Sequence, residues 1–592
     1  MTANFQDLNP SQKEAVEHEN GPILIAAGAG SGKTKTLTAR LARLIEKGAS
    51  PASIIAITFT NKAAKEMGDR VAKQLAGSQI PFIGTFHSFC ARLLKGEASL
   101  VNRSPAFTIY DADDSLSLVK KIMKALDISK DSINPAVLQN HIGQIKNEML
   151  SPEDFDRITK KVFEKYEEAL TQNNAFDFDD LIGKVVWLFE NHPAVLEKYQ
   201  KKFEYILVDE YQDINAAQYR LIRLLAEKHQ NLSVVGDDQQ AIYSFRGADF
   251  RNFLNFQKDW PRAKIVKLEQ NYRSSSTIIT AASAVIKNNK LQTPKTLWTE
   301  NKEGELIKVI RAPDPEEEAA IVGSQIEQIR EGSTAVIYRT NAQSRAIEQA
   351  LISANIPYKV FGGLKFYERK EIKDLVAGLR LAHNPKDSVS AERLSKNFDK
   401  KTAAYLIEEL PRLGERLNIL ELINFFIENA NYLEYLEKEY KNYHERIENV
   451  NEFISFAGNF KSLDEFLERV SLMQTSDAPT KSSVVGRQSL VSPVSLMTIH
   501  MAKGLEFDSV FVIGCADGII PHQRSYGSLD DLEEERRLMY VAMTRARKKL
   551  CLSLSGTPSR FVYEIPPELT DFIDLGTGKK DLPDDDEMYI EY

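Results

Sequence analysis

Eight residues constrain this chain more than any other feature. Ala27–Thr34 reads AGAGSGKT, with the apolar run Ile23–Ala26 before it and Leu37, Leu41, Leu44 and Ile45 at helical spacing after it. A strand that ends in a loop of small residues and opens a helix is the setting of a phosphate-binding loop. Small residues let backbone N–H groups approach phosphate oxygens. The helix N-terminus adds partial positive charge. Gly28, Ala29, Gly30, Ser31, Gly32 and Lys35 would line the cradle. Lys33 would neutralise the β- and γ-phosphates, and Thr34 would ligate Mg²⁺. The loop alone specifies a nucleoside triphosphate, which kinases, GTPases, ATPases and motors share. Asn61-Lys62-Ala63-Ala64 lacks the Asp of a guanine reader, which weakens the GTPase alternative.

Strand, loop and helix must then repeat, because a parallel strand needs a crossover. Ile54–Phe59 is a second strand-like run and Ala63–Leu75 a helix; Ile206–Val208, Leu232–Val235 and Ile265–Leu268 continue the set. A second series follows at Ala335–Tyr338, Ser495–Ile499, Val510–Ile513 and Leu550–Leu554. Helical, charged sequence interrupts each series. The predicted organisation is α/β, with two parallel-sheet cores. The first spans 1–88 and 183–272 with an insertion at 89–182. The second spans 273–382 and 490–570 with a reduced helical insertion at 383–489. Thr475–Pro493 reads as a flexible connection, and 571–592 as an acidic, disordered tail.

At 592 residues, 43% apolar and 27% charged, the chain is long enough for several full cores and is not a disordered or disulfide-stapled class. Its net charge of −8 disfavours indiscriminate polyanion binding but permits local basic grooves. Three scattered cysteines fit a reducing compartment. The polar start and the lack of a run of roughly 20 apolar residues predict a cytoplasmic protein that does not enter membranes.

Tyr205–Asp213 reads YILVDEYQD, so an apolar strand delivers Asp209 and Glu210 at its carboxyl end, where α/β sheets bind ligands. Asp209 would hold Mg²⁺ through its water shell, and Glu210 would orient and deprotonate the attacking water. Phosphoryl transfer also needs cations for the γ-phosphate. Arg273 and Arg545 are the candidates, although a lone Arg is more often a surface ion-pair partner.

These residues, taken in order, resemble superfamily 1 DNA helicases of the UvrD/Rep/PcrA type. Leu8–Gln12 is similar to the family's Q motif, and AGAGSGKT to motif I. TFTNKAAKEM (Thr58–Met67) is similar to Ia, and GTFHSF (Gly84–Phe89) to Ib. DFDDL at Asp177–Leu181 also recurs in the family. DEYQD resembles motif II, Gly236–Asp249 motif III, and Gln270–Ser274 motif IV. Thr498–Gly514 resembles motif V, and Glu534–Ala546 motif VI.

The resemblance implies RecA-like motor cores, ATP and Mg²⁺ as cofactors, and single-stranded DNA and single-strand/duplex junctions as partners. It implies an ATP-dependent 3′→5′ helicase and translocase serving repair or replication, with protein partners unnamed. The alternative is a translocase that strips proteins from single strands without unwinding. By the same resemblance, Gln12 and Tyr272 hold adenine, Glu506 bonds ribose, Gln240 senses the γ-phosphate, and Arg273 and Arg545 are arginine fingers. Phe59, Thr60, Asn61, His87, Tyr243, Phe245, Arg246 and His500 fall on DNA-contacting positions. Stacking on aromatic faces suits a sequence-tolerant binder; ordinary core packing is the alternative for each ring. Gln239, Ala241 and Phe245 replace the family's usual Asp, Ser and Trp. The second insertion is short and lacks the family's Gly-Ile-Gly hairpin. The basic C-terminal module of some members is also absent from the sequence.

Overall fold

The structure, a computed structural model, describes residues 6–75, 79–129, 132–329, 331–362, 364–385, 387–467, 470 and 492–576. It divides into two compact units. The first is Met1–Arg273, Asn289–Asn301 and Ile427–Ile447; the second is Ser274–Asn288, Lys302–Phe426 and Glu448–Tyr592.

The first unit is built on a six-stranded sheet. Its strands are β1 (Ile23–Ala27), β2 (Ile54–Thr58), β3 (Phe82–Thr85), β6 (Tyr205–Val208), β7 (Leu232–Gly236) and β8 (Lys264–Leu268). Their order is β3-β2-β6-β7-β1-β8, and every pair is parallel. β4 (Thr108–Tyr110) and β5 (Ala175–Asp177) pair separately. A parallel sheet has helices on both faces, so its strands must be apolar on both sides. Alternation sorts them here. Leu24, Ala26, Ile55, Ile57, Ile206 and Val208 enter a core with the helices Phe86–Glu97, Phe178–Asn191 and Ala216–Ala226. Ile23, Ile25, Ile54, Ala56 and Leu207 face Leu37, Leu41, Leu44, Met67 and Val71 on the helices Lys33–Glu46 and Asn61–Leu75.

The helices Ala112–Ala125, Pro135–Asn147 and Arg157–Gln172 carry their own small core around Ile142, Val162 and Leu170. That separate core is narrower than the expected insertion at 89–182. The flanking helices Phe86–Glu97 and Phe178–Asn191 belong to the sheet, because Phe89, Leu93, Leu181 and Val185 are buried against it.

The second unit has a seven-stranded sheet of β9 (Ile307–Ala312), β10 (Thr334–Tyr338), β11 (Tyr358–Val360), β12 (Val494–Thr498), β13 (Phe507–Val512), β14 (Ala546–Ser555) and β15 (Thr570–Asp574). The order is β11-β12-β10-β13-β14-β9-β15, again wholly parallel. The predicted two-core α/β class is therefore the one observed, and each sheet is interrupted by helices. Among the described residues, no helix is long and apolar enough to cross a membrane.

Three boundaries differ from expectation. The expected tail begins inside β15, whose backbone pairs with β9 from Thr570↔Ile307 to Asp574↔Arg311; residues 577–592 lie outside the described residues, as does the predicted connection through residue 491. Asn289–Asn301, expected in the second core, groups with the first unit. So does Ile427–Ile447 from the expected second insertion, where Glu439 pairs with Lys120 at 2.9 Å.

Candidate active site

The carboxyl ends of β1, β2, β6, β7 and β8 share one edge of the first sheet, because parallel strands all point the same way. β1 runs into the phosphate loop. The Gly28 N–H donates to Leu268 O at 3.0 Å, tying the loop to the end of β8. The Ser31 hydroxyl donates back to Gly28 O at 2.8 Å. Gly30 and Gly32 have φ of +64° and +83°, a region in which L side chains are strained. A Cβ on Gly30 would lie 2.6 Å from Asn271 Nδ2. Gly32 caps the helix Lys33–Glu46 without a side-chain hydrogen bond, so the first N–H groups of that helix are not taken by a cap.

The segment after β8 is laced to this loop. Asn271 Nδ2 donates to Ala29 O at 2.7 Å, the Tyr272 N–H to Gly30 O at 3.0 Å, and the Arg273 N–H to Asn271 Oδ1 at 2.8 Å. Tyr272 is 49% exposed beside the loop. Its hydroxyl is held by Asn9 Nδ2 at 2.8 Å and donates to Gln270 Oε1 at 2.8 Å. Arg273 is half-buried.

Gln12 differs from the expected adenine reader. It is 1% exposed, its Nε2 donates to Ser31 O at 2.9 Å, and its Oε1 accepts the Asn9 N–H at 3.1 Å. In this arrangement its amide braces the phosphate loop against the helix Pro10–Glu17.

β6 delivers the acidic pair. Asp209 is buried, and burial followed by the neighbouring Glu210 charge raises its carboxyl to about 7, against the pull of Lys33. A divalent cation supplies the positive charge such a carboxylate lacks, so the residues present fit Mg²⁺. Among the described residues no cluster of three or more His, Cys, Asp or Glu converges. Asp209 and the Thr34 hydroxyl are the residues expected to hold the ion, with phosphate oxygens completing a sparse Mg²⁺ set.

Glu210 adopts φ +52°, an uncommon conformation for a non-glycine residue and one that clusters at active sites. Gln212, fully buried, holds it there. Its Nε2 donates to Glu210 Oε2 at 2.6 Å, and its Oε1 accepts the Asp237 N–H at 2.9 Å. Gln212 had no assigned role in the sequence, although DEYQD contains it.

β7 is followed at once by Asp237 and Asp238. Gln240, buried, donates from Nε2 to Asp237 Oδ2 at 2.6 Å, and Lys33 Nζ lies 4.0 Å from that oxygen. The same loop continues into the aromatic residues. Tyr243 stacks on Phe59, at the end of β2, with centroids 5.3 Å apart and planes 18° from parallel. Phe245 stands 6.0 Å from Tyr243 and is 65% exposed. Arg246 lies over both rings at 5.5 and 5.4 Å. Phe59 and Tyr243 are half-buried, and Phe245 is the exposed ring of the group.

Thr60 caps the turn into the helix Asn61–Leu75 by accepting the Ala63 N–H at 3.1 Å, and Asn61 is that helix's first residue. His87 meets Phe178 edge-on at 5.6 Å, and burial lowers its pKa. Phe178, exposed and given no role in the sequence, shares a groove of about 940 Å³ with Phe245 and Arg246.

Three expected site residues lie in the second unit. Arg545 is 1% exposed, and its guanidinium donates to Val541 O at 2.9 Å, Leu505 O at 3.2 Å and Thr544 Oγ1 at 3.0 Å. That is a packed posture rather than an extended finger. Glu506 is ion-paired with Arg547, and His500 is half-buried in the short helix Ile499–Ala502.

The UvrD/REP helicase N-terminal domain model matches residues 8–261, and the UvrD-like helicase C-terminal domain model matches 266–445 and 426–557. The chain is 40% identical over 639 residues to the ATP-dependent DNA helicase PcrA of Bacillus subtilis (strain 168), covering 95% of this chain and 86% of that protein. The proteins of the same name from Staphylococcus epidermidis (strain RP62A) and Staphylococcus aureus (strain Mu50) are each 40% identical, over 98% and 96% of this chain and 89% and 87% of theirs.

Proposed function

The chain belongs to the UvrD/Rep/PcrA family of superfamily 1 DNA helicases, and we propose that it hydrolyses ATP to move 3′→5′ along single-stranded DNA and unwind duplex ahead of it, in repair or replication. One observation carries this reading. The loop that holds Gln240 against Asp237 continues, three residues on, into the Tyr243 ring stacked on Phe59. The same short segment therefore touches the phosphate end of the nucleotide site and the platform for bases. A shift of Gln240 with the γ-phosphate must be felt by Tyr243.

The roles follow from chemistry. Lys33 and the N–H groups of the loop bind the phosphates. Mg²⁺, when bound through Thr34 and Asp209, neutralises charge developing on the phosphate oxygens. Glu210, fixed by Gln212, orients the attacking water and takes its proton. Tyr272 stacks on adenine and Arg273 draws charge from the γ-phosphate. Phe59, Tyr243 and Phe245 stack on successive bases without reading sequence, while Arg246 adds charge beside the backbone. Single-strand/duplex junctions are the natural substrate of such a motor.

Strand separation tests the proposal. Duplexes with a 3′ or a 5′ single-stranded tail are incubated with ATP, Mg²⁺ and a single-strand trap. Release from the 3′-tailed substrate alone is expected. Release from the 5′-tailed one reverses the polarity. Rapid DNA-stimulated ATP hydrolysis with no strand release points instead to a translocase that clears proteins from single strands.

A further inference from the structure

Lys295 lies in Asn289–Asn301, a polar stretch outside every motif. Its side chain has no exposure, and its Nζ lies 2.5 Å from Asp237 Oδ1 and 2.7 Å from Asp238 Oδ1. The segment around it is tied to the same loop. The Thr293 N–H donates to Asp238 Oδ2 at 2.5 Å, and Gln292 Oε1 accepts Gln239 Nε2 at 2.7 Å. It also reaches the phosphate loop. A Cβ on Gly28 would lie 2.1 Å from Leu297 Cδ2, and Trp298 O accepts the Asn271 N–H at 2.7 Å.

We propose that Lys295 is a positioning residue for ATP hydrolysis, which holds Asp237 so that Gln240 stays aligned and Lys33 stays available to phosphate. Asp237 is the shared partner: one oxygen takes Lys295, and the other accepts Gln240 and faces Lys33 at 4.0 Å. Two carboxylates in a buried site require cations. With Lys295 in place, that demand is met from behind the loop. Without it, Lys33 is the cation left facing Asp237, and closing a 4.0 Å gap to a direct ion pair takes its charge from the nucleotide. Burial by itself would raise the Asp237 pKa, but Lys295 and then Lys33 hold it below its ordinary value. Burial would strip the proton from Lys295, but the two aspartates keep it charged.

The inference rests on the ATPase reading above and names a residue that serves it through others. Its test compares the full-length parent, Lys295→Met and Lys295→Arg, each checked for folding by thermal melting. The readouts are kcat and KM for ATP with saturating oligo(dT), and the oligo(dT) Kd. A parent whose ATP turnover ignores oligo(dT) sinks the motor reading itself. Given a stimulated parent, Lys295→Met is expected to lose about 10- to 100-fold in kcat/KM for ATP, with KM raised and the oligo(dT) Kd held within about twofold. Lys295→Arg, which keeps the charge, is expected to recover at least half of that loss on a logarithmic scale. If Lys295→Met does not fold, Lys295→Gln takes its place with the same expected losses. The inference is overturned by a folded Lys295→Met, or Lys295→Gln in its place, with parental kcat and KM, or by equal losses in ATP turnover and DNA affinity.

Discussion

The platform loop permits a prediction in which affinity and stability separate. Phe245 is 65% exposed, so truncation to alanine removes little buried surface. Fully burying a Phe is worth about 1.5–3 kcal/mol, so the third that is covered contributes roughly 0.5–1 kcal/mol of stability. In a unit of this size, that is a melting shift below about 4 °C. Stacking of a base on such a ring is worth about 1–3 kcal/mol, which corresponds to a loss of about 5- to 150-fold in single-strand affinity. Fluorescence anisotropy with labelled oligo(dT) measures the affinity, and a thermal melt measures the stability. The slope of log Kd against log salt should not change in Phe245→Ala, because no charge is removed. Arg246→Ala should flatten that slope by up to about 0.7. Parental affinity in a folded Phe245→Ala refutes the stacking assignment. A large loss of both affinity and stability shows that the ring belongs to the core.

Lys33→Ala should abolish ATP hydrolysis while leaving the oligo(dT) Kd within about twofold, read by phosphate release and anisotropy. Gln212→Leu removes one hydrogen bond from Glu210 and the side-chain acceptor of the buried Asp237 N–H. Each unsatisfied group costs roughly 1–3 kcal/mol, and kcat should fall with KM for ATP little changed. Asp209 gives a pH signature in metal-free protein. Its folded carboxyl is raised above the ordinary 3.8 to about 7, so the folded state binds more protons between those values and stability falls as pH rises through that window. Asp209→Asn should melt higher than the parent at pH 8 and equally at pH 3, with Mg²⁺–ATP stabilising only the parent. Equal melting curves at pH 8 would contradict the buried-carboxylate account.

Much of the nucleotide site is legible in the sequence because it is local. AGAGSGKT, Asp209-Glu210 and GDDQQ each come at the end of an apolar strand run, and a parallel sheet brings every strand's carboxyl end to one edge. Residues whose contacts are distant in sequence escape such reading. Lys295 meets Asp237 across 58 positions, and a single Lys in LQTPKTLW carries no periodic signal. The hydrogen bonds of Gln12 to Asn9 and Ser31 O depend on a tertiary approach that no motif encodes. Burial is equally hidden: an Arg after a helix gives no sign that it will fold onto the carbonyls of Val541 and Leu505. β15 escapes because Asp571 and Asp574 make its sequence look like solvated tail. The edge of β9 supplies the backbone partners that its side chains do not advertise.

The strap around Lys295 also bears on how this polypeptide matures. A fragment stopped after Arg273 would contain the phosphate loop and both acidic pairs, yet Asp237 and Asp238 would lack the ammonium that balances them. On the ribosome, the same deficit persists until the chain has grown past Lys295. The nucleotide-binding lobe is thus finished by residues made after the stretch that opens the other lobe, and dissecting the two at their junction in the sequence removes a counter-charge rather than a linker.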